Sequence, residues 1–512
     1  IVKTGNIDTS YTLPAQTPEF GVNPVTISET QTITLVEDSI LPPAGTLYML
    51  PSEYRLFKST GSKLVGDESH EVTGLTVDAG IELFLPANSG SSTTYLYFNN
   101  DVQNNGSLTT VNEVRSTRVD LNLTAAAYYG TGDINLKGET SNYYRQSGGD
   151  ITLNAYTIMH SGLFNTSGAN KSGENTTGNG GGNAGTIRLN ANVFIENTGE
   201  LRANGGNSDS DTGTNGADIN LEATAIVNTG LINSNSGSGN TQSYSSNNSN
   251  INLIATRSIL NTGSISSKGA DAGESGNAGK GGDIQFYIAQ VEPVALINEI
   301  DDPSVIAFDK SIINTGDLNV NGGSITSNSN GYAGYGGNIN IYTEEPNEDT
   351  NAPVVFEISG NLTANGGNSI EDDSDAGHGG NIYIANYDSP SSSAETFIIG
   401  YDEINTSGGN GVDAGEAGEI NIEFEDYRNV RGGDSYVPTV SGSIYNNVSL
   451  TSNGGSTTAE AQEAGDDPIY GRGQEGGYIS LRANNYSAYL QPGALNVTNE
   501  GAVSVNGGDS YN

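Results

Sequence analysis

The fold of this chain is decided by a phrase of ten residues, Asn197-Thr198-Gly199-Glu200-Leu201-Arg202-Ala203-Asn204-Gly205-Gly206, which returns as Asn314-Thr315-Gly316-Asp317-Leu318-Asn319-Val320-Asn321-Gly322-Gly323. Looser copies lie at residues 359–367 and 499–508. Each copy places a short alternation of apolar and polar residues between corners made of Asn and Gly. A strand-length phrase that recurs at long intervals is typical of stacked coils, each of which buries its apolar face against its neighbours. The phrase therefore predicts an all-β solenoid.

Nine apolar triplets mark the successive coils. The first and third residues of each triplet are apolar, so a strand would send two side chains inward and one outward. Ile187 and Ile219 are 32 positions apart, which we interpret as one coil, whereas Ile420 and Ile479 are 59 apart, which we interpret as a coil with a surface insertion. The triplets are Ile151-Thr152-Leu153, Ile187-Arg188-Leu189, Ile219-Asn220-Leu221, Ile251-Asn252-Leu253, Ile284-Gln285-Phe286, Ile339-Asn340-Ile341, Ile382-Tyr383-Ile384, Ile420-Asn421-Ile422 and Ile479-Ser480-Leu481.

We expect three strands in each coil. The triplet forms the first strand, a second apolar stretch ends at Asn-Thr-Gly, and a short third strand such as Leu201-Arg202-Ala203 follows. The Asn and Gly residues at the corners are expected to supply positive φ angles, which Gly adopts freely and Asn tolerates.

One Asn recurs at the same corner of four successive coils. These residues are Asn197, Asn228, Asn261 and Asn314. Stacked in register, their side-chain amides could hydrogen-bond from coil to coil, as Asn ladders do in cross-β stacks. We interpret the four residues as a structural ladder in preference to a ligand site.

The composition argues against several classes of partner. The chain has 512 residues, with 60 acidic against 19 basic side chains and a net charge of −41. Binding to nucleic acid requires clustered Lys and Arg, so neither nucleic acid nor an anionic membrane is an expected partner. There is no cysteine, so no disulfide is available, and no apolar run approaches the roughly 20 residues needed to span a bilayer.

The chain divides into two parts by pattern. Residues 1–70 are expected to form an N-terminal extended segment and β cap, with residues 1–25 extended, and residues 71–512 a Gly/Asn-rich parallel β-helix with loop insertions. Val503-Ser504-Val505-Asn506-Gly507-Gly508 is an ordinary repeat rather than a cap. Because solenoids usually need polar caps, we expect another subunit or a further segment to cover that end.

Acidic residues cluster in one loop, where Glu371, Asp372, Asp373 and Asp375 lie close together in sequence. Carboxylates on carbonyl-rich loops suit Ca²⁺, which accepts six to eight oxygen ligands in loose geometry. The spacing matches neither an EF-hand nor the calcium-binding nonapeptide repeat. The cluster is therefore a candidate calcium site, and a solvated acidic loop is the alternative.

Catalytic signals are weak. The three histidines, His70, His160 and His378, are far apart and have no metal-ligand spacing, and the basic residues are scattered. We therefore expect no enzymatic activity. Tyrosines in or beside the loops could stack on sugar rings, although packing over glycine corners is the favoured interpretation; they are Tyr244, Tyr332, Tyr335, Tyr383, Tyr387, Tyr470, Tyr478 and Tyr486.

The segments Gly337-Asn338-Ile339-Asn340-Ile341 and Gly380-Asn381-Ile382-Tyr383-Ile384, together with the Asn-Thr-Gly corners, resemble the repeats of bacterial surface proteins of the filamentous-haemagglutinin-like and autotransporter-passenger kind. The resemblance covers roughly residues 70–512. It implies a right-handed parallel β-helix, export from the cell, and a role in adhesion or matrix formation.

These observations lead to one hypothesis with two alternatives. The hypothesis is an extracellular or cell-surface structural or adhesive β-solenoid that assembles head to tail into a homo-oligomer, fibre or biofilm matrix, with residues 1–25 donating a strand to a neighbouring copy. The first alternative is a monomeric carbohydrate-binding adhesin with a polysaccharide partner. The second is a polysaccharide lyase or hydrolase.

Overall fold

The computed structural model shows an all-β molecule, in which every regular element of the described part is a strand. The residues that the structure describes are 2–3, 32–35, 39–40, 47–50, 55–60, 63–66, 74–80, 82–85, 92–98, 101–110, 118–139, 146–171, 180–209, 212–239, 242–243, 249–273, 276–289, 311–326, 331–343, 355–370, 374–387, 395–400, 402–426, 442–457, 474–485 and 495–509.

Most strands belong to two long sheets, and β19 (Thr212–Gly213) and β22 (Gln242–Ser243) form a third sheet of two strands. In chain order they are β1 Val2–Lys3, β2 Thr32–Leu35, β3 Ser39–Ile40, β4 Leu47–Leu50, β5 Arg55–Thr60, β6 Lys63–Gly66, β7 Gly74–Val77, β8 Glu82–Leu85, β9 Ser92–Tyr97, β10 Val102–Asn104, β11 Ser107–Thr110, β12 Val119–Thr124, β13 Ala127–Gly130, β14 Asp133–Asn135, β15 Ile151–His160, β16 Leu163–Asn165, β17 Ile187–Asn197, β18 Glu200–Arg202, β19 Thr212–Gly213, β20 Ile219–Asn228, β21 Leu231–Asn233, β22 Gln242–Ser243, β23 Asn250–Asn261, β24 Ile265–Ser266, β25 Asp283–Ile288, β26 Ser311–Asn314, β27 Leu318–Asn319, β28 Ile339–Thr343, β29 Val355–Ile358, β30 Leu362–Thr363, β31 Ile382–Asn386, β32 Glu395–Ile399, β33 Glu403–Asn405, β34 Glu419–Asp426, β35 Gly442–Asn446, β36 Ser449–Thr451, β37 Tyr478–Asn485, β38 Leu495–Asn499 and β39 Val503–Ser504.

The triplets stack in register, as the sequence predicts. Ile151 pairs with Ile187, and Ile187 with Ile219, in parallel strands. The same register continues from Ile219 through every later triplet to Ile479. The predicted parallel β-helix is therefore confirmed.

The third strands of the coils form a second sheet of 13 parallel strands, from β3 to β39. Leu201 pairs with Ile232, which in turn pairs with Ile265. The inward side chains of both sheets meet in one continuous core of mainly Ile, Leu, Val and Ala, which runs from Leu75 to Leu450. Alternation along each strand supplies this core, as in β12, where buried and half-buried residues alternate.

The first two strands expected in each coil are in fact one strand in the coils of β15, β17, β20 and β23. β17 runs without interruption from Ile187 to Asn197, and its pairing with β20 shifts register between Asn190 and Phe194. No turn separates the two apolar stretches; an irregularity bends the strand within the sheet. From β25 onwards the strand is divided, and the residues between its halves, such as 290–310, lie outside the described part.

The expected reason for the corner glycines is wrong for the residues described. Only Gly80 (φ 79°) and Gly276 (φ 128°) have positive φ there. At most other corners a side chain has no room. A Cβ on Gly323 would lie 1.9 Å from the carbonyl oxygen of Ala270, and one on Gly367 would lie 1.8 Å from that of Gly323. Glycine is needed because backbones touch, not because the chain turns sharply.

These contacts form a layer that we call the glycine seam, in which the outgoing Asn-Gly-Gly segments pack against the Gly-rich segments that return to the next triplet. The N–H of Gly334 donates to the carbonyl of Gly323 on the same coil, at 2.8 Å, while that of Gly322 donates to Asn365 on the next coil, at 2.9 Å. Backbone hydrogen bonds therefore run both within and between coils.

Parallel stacking extends further toward the N-terminus than residue 71. β2 pairs in parallel with β7, and β3 with β8, while Val2 and Lys3 of β1 pair with Thr34 and Leu35. Only β4, β5 and β6 include antiparallel pairs. Most of the segment predicted to be extended, residues 1–25, lies outside the described part, which includes only Val2 and Lys3 of it.

Candidate functional site

The four Asn residues of the predicted ladder lie in one buried column at the end of successive strands, where each is 0% exposed. The amide nitrogen Nδ2 of each residue donates to Oδ1 of the next. The distances are 2.7 Å from Asn197 to Asn228, 2.6 Å from Asn228 to Asn261 and 2.6 Å from Asn261 to Asn314. The side-chain dipoles therefore all point along the same direction of the stack.

The amides of Asn228, Asn261 and Asn314 also stabilise the corners that follow them. Nδ2 of Asn261 donates to the carbonyl of Gly263 at 3.0 Å, and Nδ2 of Asn314 donates to that of Gly316 at 2.9 Å. The Gly of the Asn-Thr-Gly corner packs closely on the corner of the coil before, since a Cβ on Gly316 would lie 1.9 Å from the carbonyl oxygen of Gly263. The Asn amide and the closely packed Gly therefore stabilise the same corner, which explains why Asn-Thr-Gly recurs as one motif.

The column extends beyond the predicted four residues. Its register includes Asn104, Gly130 and His160 before Asn197, then Ile358, Ile399, Asn446 and Asn499 after Asn314. Asn446 donates to Asn499 at 2.6 Å, which restarts the ladder. A sequence signal was available, because Asn446 precedes Leu450 by the same four positions that separate Asn197 from Leu201.

His160 occupies the ladder position directly before Asn197. It is 2% exposed, and its ring lies on that of Phe164, with centroids 3.7 Å apart. Neither ring nitrogen has a hydrogen-bond partner, and neither has Oδ1 of Asn197. Burial lowers the pKa of His160 to about 4, and the backbone of Glu200 and Gly162 offsets only part of that effect. The imidazole is therefore held neutral.

The predicted calcium cluster falls largely outside the described part, which includes Asp375 but not Glu371, Asp372 or Asp373. Asp375 forms parallel bridges with Tyr332 on one side and Asp413 on the other. Burial, a hydrogen bond to the Asp375 side chain and that neighbouring charge together raise the pKa of Asp413. Among the residues described, no three acidic, histidine or cysteine side chains are grouped so as to hold a metal ion.

A second group of polar and aromatic residues lies where the chain returns to the next triplet. We call it the return corner: residues 276–282, 331–337, 374–380 and 411–418 on four successive coils. Tyr332 and Tyr335 are 58% and 47% exposed there. The ring of Tyr335 meets that of His378 edge-on, with centroids 4.8 Å apart. Nδ1 of His378 accepts a hydrogen bond from the backbone N–H of Glu416 at 3.0 Å.

The histidines and arginines are not assembled around one point in the described part. His160 is buried in the Asn column, whereas His378 is exposed at the return corner, and His70 lies outside the described residues. Arg202 pairs with Glu200 at 2.7 Å, and Arg482 lies 3.7 Å from Glu423. These are ion pairs at the surface of single coils or between adjacent coils.

The last rung of the stack presents apolar side chains. Val497, Val503 and Val505 are 43%, 49% and 44% exposed, although the equivalent residues of earlier coils are buried. No described strand pairs with the outer edge of β38 or β39. This edge could accept a further strand in each sheet.

No protein-family model, curated protein or solved structure matches the chain. None of the described residues lies in a helix that is long and apolar enough to cross a membrane.

Proposed function

We propose that this protein is an extracellular structural or adhesive β-solenoid that assembles head to tail into a fibre or matrix. The observation that supports the proposal is the edge formed by β38 and β39, where three valines are exposed and no described strand pairs with the backbone, so that a second copy or a further length of chain could cover it. A further coil placed on that edge would extend both sheets and cover the valines.

The charge of the molecule favours contact at the ends over contact along the sides. A net charge of −41, distributed over a long stack, makes two parallel molecules repel each other along their whole length. Where two molecules meet end to end, only a few charges come close together. Hydrogen bonds between their backbones and contact between their apolar cores would offset the repulsion between those charges. Association should therefore be linear.

Two contacts at the opposite end are compatible with this proposal. The edge of β1 could receive the last rung of another copy, because Val2 and Lys3 already form a parallel rung with Thr34 and Leu35. Alternatively, residues 1–25 donate a strand to the neighbour. Deletion of residues 1–25 removes the donated strand but bares the edge of β2, so strand donation predicts monomers whereas direct stacking predicts association that persists.

The experiment that tests the proposal places charge on the open edge. The double variant V503K/V505K should abolish concentration-dependent association in sedimentation velocity, because edge lysines prevent strand pairing. The matched control is L231K, which changes a side chain that is 46% exposed in the middle of the stack. Association that persists in V503K/V505K, or that is lost equally in L231K, would contradict head-to-tail assembly.

Calcium binding by the loop that contains Glu371, Asp372, Asp373 and Asp375 remains part of the proposal. Ca²⁺ bound there would reduce repulsion between the carboxylates, so removal of the ion with a chelator should lower the melting temperature. A melting temperature that changes neither on chelation nor on calcium addition would contradict calcium binding by this loop.

A further inference from the structure

Two exposed tyrosine rings stand on a fixed backbone at the return corner. Tyr332 and Tyr335 lie three positions apart on one coil, and Ala333 between them is 3% exposed. The N–H of Ala333 donates to the carbonyl of Asp375 on the next coil, at 2.8 Å, and the N–H of Tyr332 donates to Oδ1 of Asn277 on the coil before, at 2.9 Å. The backbone that carries the rings is therefore held by hydrogen bonds to the coils on both sides.

Hydrogen-bonding side chains continue the same surface on the next two coils. Asp375 and Asp413 follow Tyr332 in register. His378 and Glu416 follow Tyr335, since the N–H of Gly336 donates to the carbonyl of His378, and that of Gly379 to Glu416. His378 and Glu416 expose 41% and 62% of their side chains. Adjacent coils are about 4.8 Å apart, so the whole surface spans about 10 Å along the stack.

We propose that this surface of the return corner binds a neutral, hydroxyl-rich polysaccharide. The tyrosine faces would pack against the C–H faces of sugar rings. The carboxylates of Asp375, Asp413 and Glu416 would accept hydrogen bonds from sugar hydroxyls, and such charge-assisted bonds are the stronger kind. A few polar groups placed around aromatic rings are the usual composition of a ligand site.

Other ligands fit this surface less well. Anionic polysaccharides, nucleic acids and acidic membranes would meet three carboxylates in a molecule of charge −41. A protein partner generally requires an apolar centre, but the residues between the exposed positions here are small: Ala333, Ala376 and Ala414, all buried. Tyr332 is 58% exposed, so only 42% of its surface is buried. A ring that merely covered a glycine corner would be expected to bury more of its surface.

This inference rests on the adhesive part of the proposed function and not on head-to-tail assembly. The two can fail separately. The variant V503K/V505K should bind polysaccharide as the unmodified chain does, and variants of the return corner should associate as the unmodified chain does.

The test measures binding of the full chain to insoluble cellulose, insoluble chitin and soluble mannan, with polygalacturonate as the anionic comparison. The double variant Y332A/Y335A should bind the preferred neutral polysaccharide at least about tenfold more weakly, which corresponds to about 1.4 kcal/mol. Y332F/Y335F keeps the rings and should stay within about twofold. Y129A removes another exposed tyrosine, 39% exposed, and should have no effect.

Three results would each overturn the inference. They are binding to none of the neutral polysaccharides, binding to polygalacturonate alone, and equal loss of binding in Y129A and Y332A/Y335A. Melting temperatures of all variants, measured beside the binding, establish that a loss reflects the surface rather than unfolding. Binding that weakens only in Y332A/Y335A, and that is insensitive to salt, is the result we expect.

Discussion

A buried primary amide is costly unless both its donors and its acceptor find partners. In the Asn column the partners come from the coils themselves, because Asn228 and Asn261 each accept from the coil before and donate to the coil after. Hydrogen bonds in such a chain polarise one another in the low-dielectric interior. The same geometry requires consecutive coils to keep one register, so the column favours a single stacking arrangement.

The variant Asn228→Ala tests this arrangement. It leaves Nδ2 of Asn197 and Oδ1 of Asn261 without their ladder partners in the interior, and we expect the free energy of unfolding to fall by about 3 kcal/mol. Guanidinium unfolding followed by circular dichroism measures the loss.

The control is Asn252→Ala, which removes a half-buried outward amide that donates to Asn220 at 2.7 Å. Because water can replace that bond, the loss there should stay below about 1 kcal/mol. Equal losses in the two variants would show that burial of the column contributes nothing.

His160 gives the column a dependence on pH. Its pKa is lowered to about 4 in the fold, against about 6.5 in an unfolded chain, so the unfolded chain binds the additional proton between these values. The contribution of this residue is therefore fully favourable above pH 6.5 and is lost as the pH falls toward 4, by up to about 3 kcal/mol.

The variant His160→Asn should remove that part of the pH dependence. His160-Ser161-Gly162 already matches the Asn-Thr-Gly corner, and an Asn there could donate to the unpaired Oδ1 of Asn197. Unfolding measured from pH 7 to pH 4 should show a smaller loss of stability in the variant than in the unmodified chain. Parallel curves for the two proteins would assign the acid sensitivity to other groups.

At the scale of the structural element, the glycine seam limits the sequence more strictly than the strands do. Backbone carbonyls lie where a Cβ would be, and they belong to rigid hydrogen-bonded segments that cannot move aside. A strand position tolerates exchange among Ile, Leu and Phe, as the aligned triplets demonstrate, whereas the seam positions are mostly Gly, with Ser236 and Ala270 as exceptions at the positions equivalent to Gly322 and Gly323.

The pair Gly366→Ala and Gly507→Ala measures this limit at equivalent positions of the Asn-Gly-Gly motif. A Cβ on Gly366 would lie 1.9 Å from the carbonyl oxygen of Gly377, whereas one on Gly507 has only the carbonyl of Gln474, at 3.4 Å, nearby. We expect Gly366→Ala to lower the free energy of unfolding by about 3 kcal/mol or more, and Gly507→Ala by less than about 1 kcal/mol. A harmless Gly366→Ala would contradict the close packing of the seam.

The features of these elements that could be predicted from the sequence are those that depend on residues close together in the chain. The triplets from Ile151 to Ile479 could be aligned because alternation alone assigns their inward positions. The role of Gly366 could not be predicted from the sequence, because the carbonyl that excludes a side chain there belongs to Gly377, on the other side of a loop. The continuity of β17 could have been predicted from the sequence, since no Gly or Pro lies between Ile187 and Asn197.

The candidate site was predictable to a smaller extent. The four Asn residues share a motif that the sequence repeats, whereas His160 replaces the expected residue and interrupts the pattern. Tyr332 and Tyr335 were recognisable as loop tyrosines, but the carboxylates beside them come from the two following coils. Only the register of the stack brings Asp375 and Asp413 to the same surface.

At the scale of the whole molecule, the described strands stack into a rod in a chain of net charge −41, and the edge of β38 and β39 exposes three valines. The 13 strands of the second sheet, spaced about 4.8 Å apart, give a length of about 60 Å. If molecules pair through their end strands as we propose, repulsion along the sides would favour a linear polymer of constant width.

Negative-stain electron microscopy of the purified protein over a range of concentrations tests the central claim most directly. Our account predicts unbranched filaments of uniform width at high concentration, which shorten on dilution into rods about 60 Å long, and only such rods for V503K/V505K. Compact particles, or rods that stay single at every concentration or bundle along their sides, would contradict it.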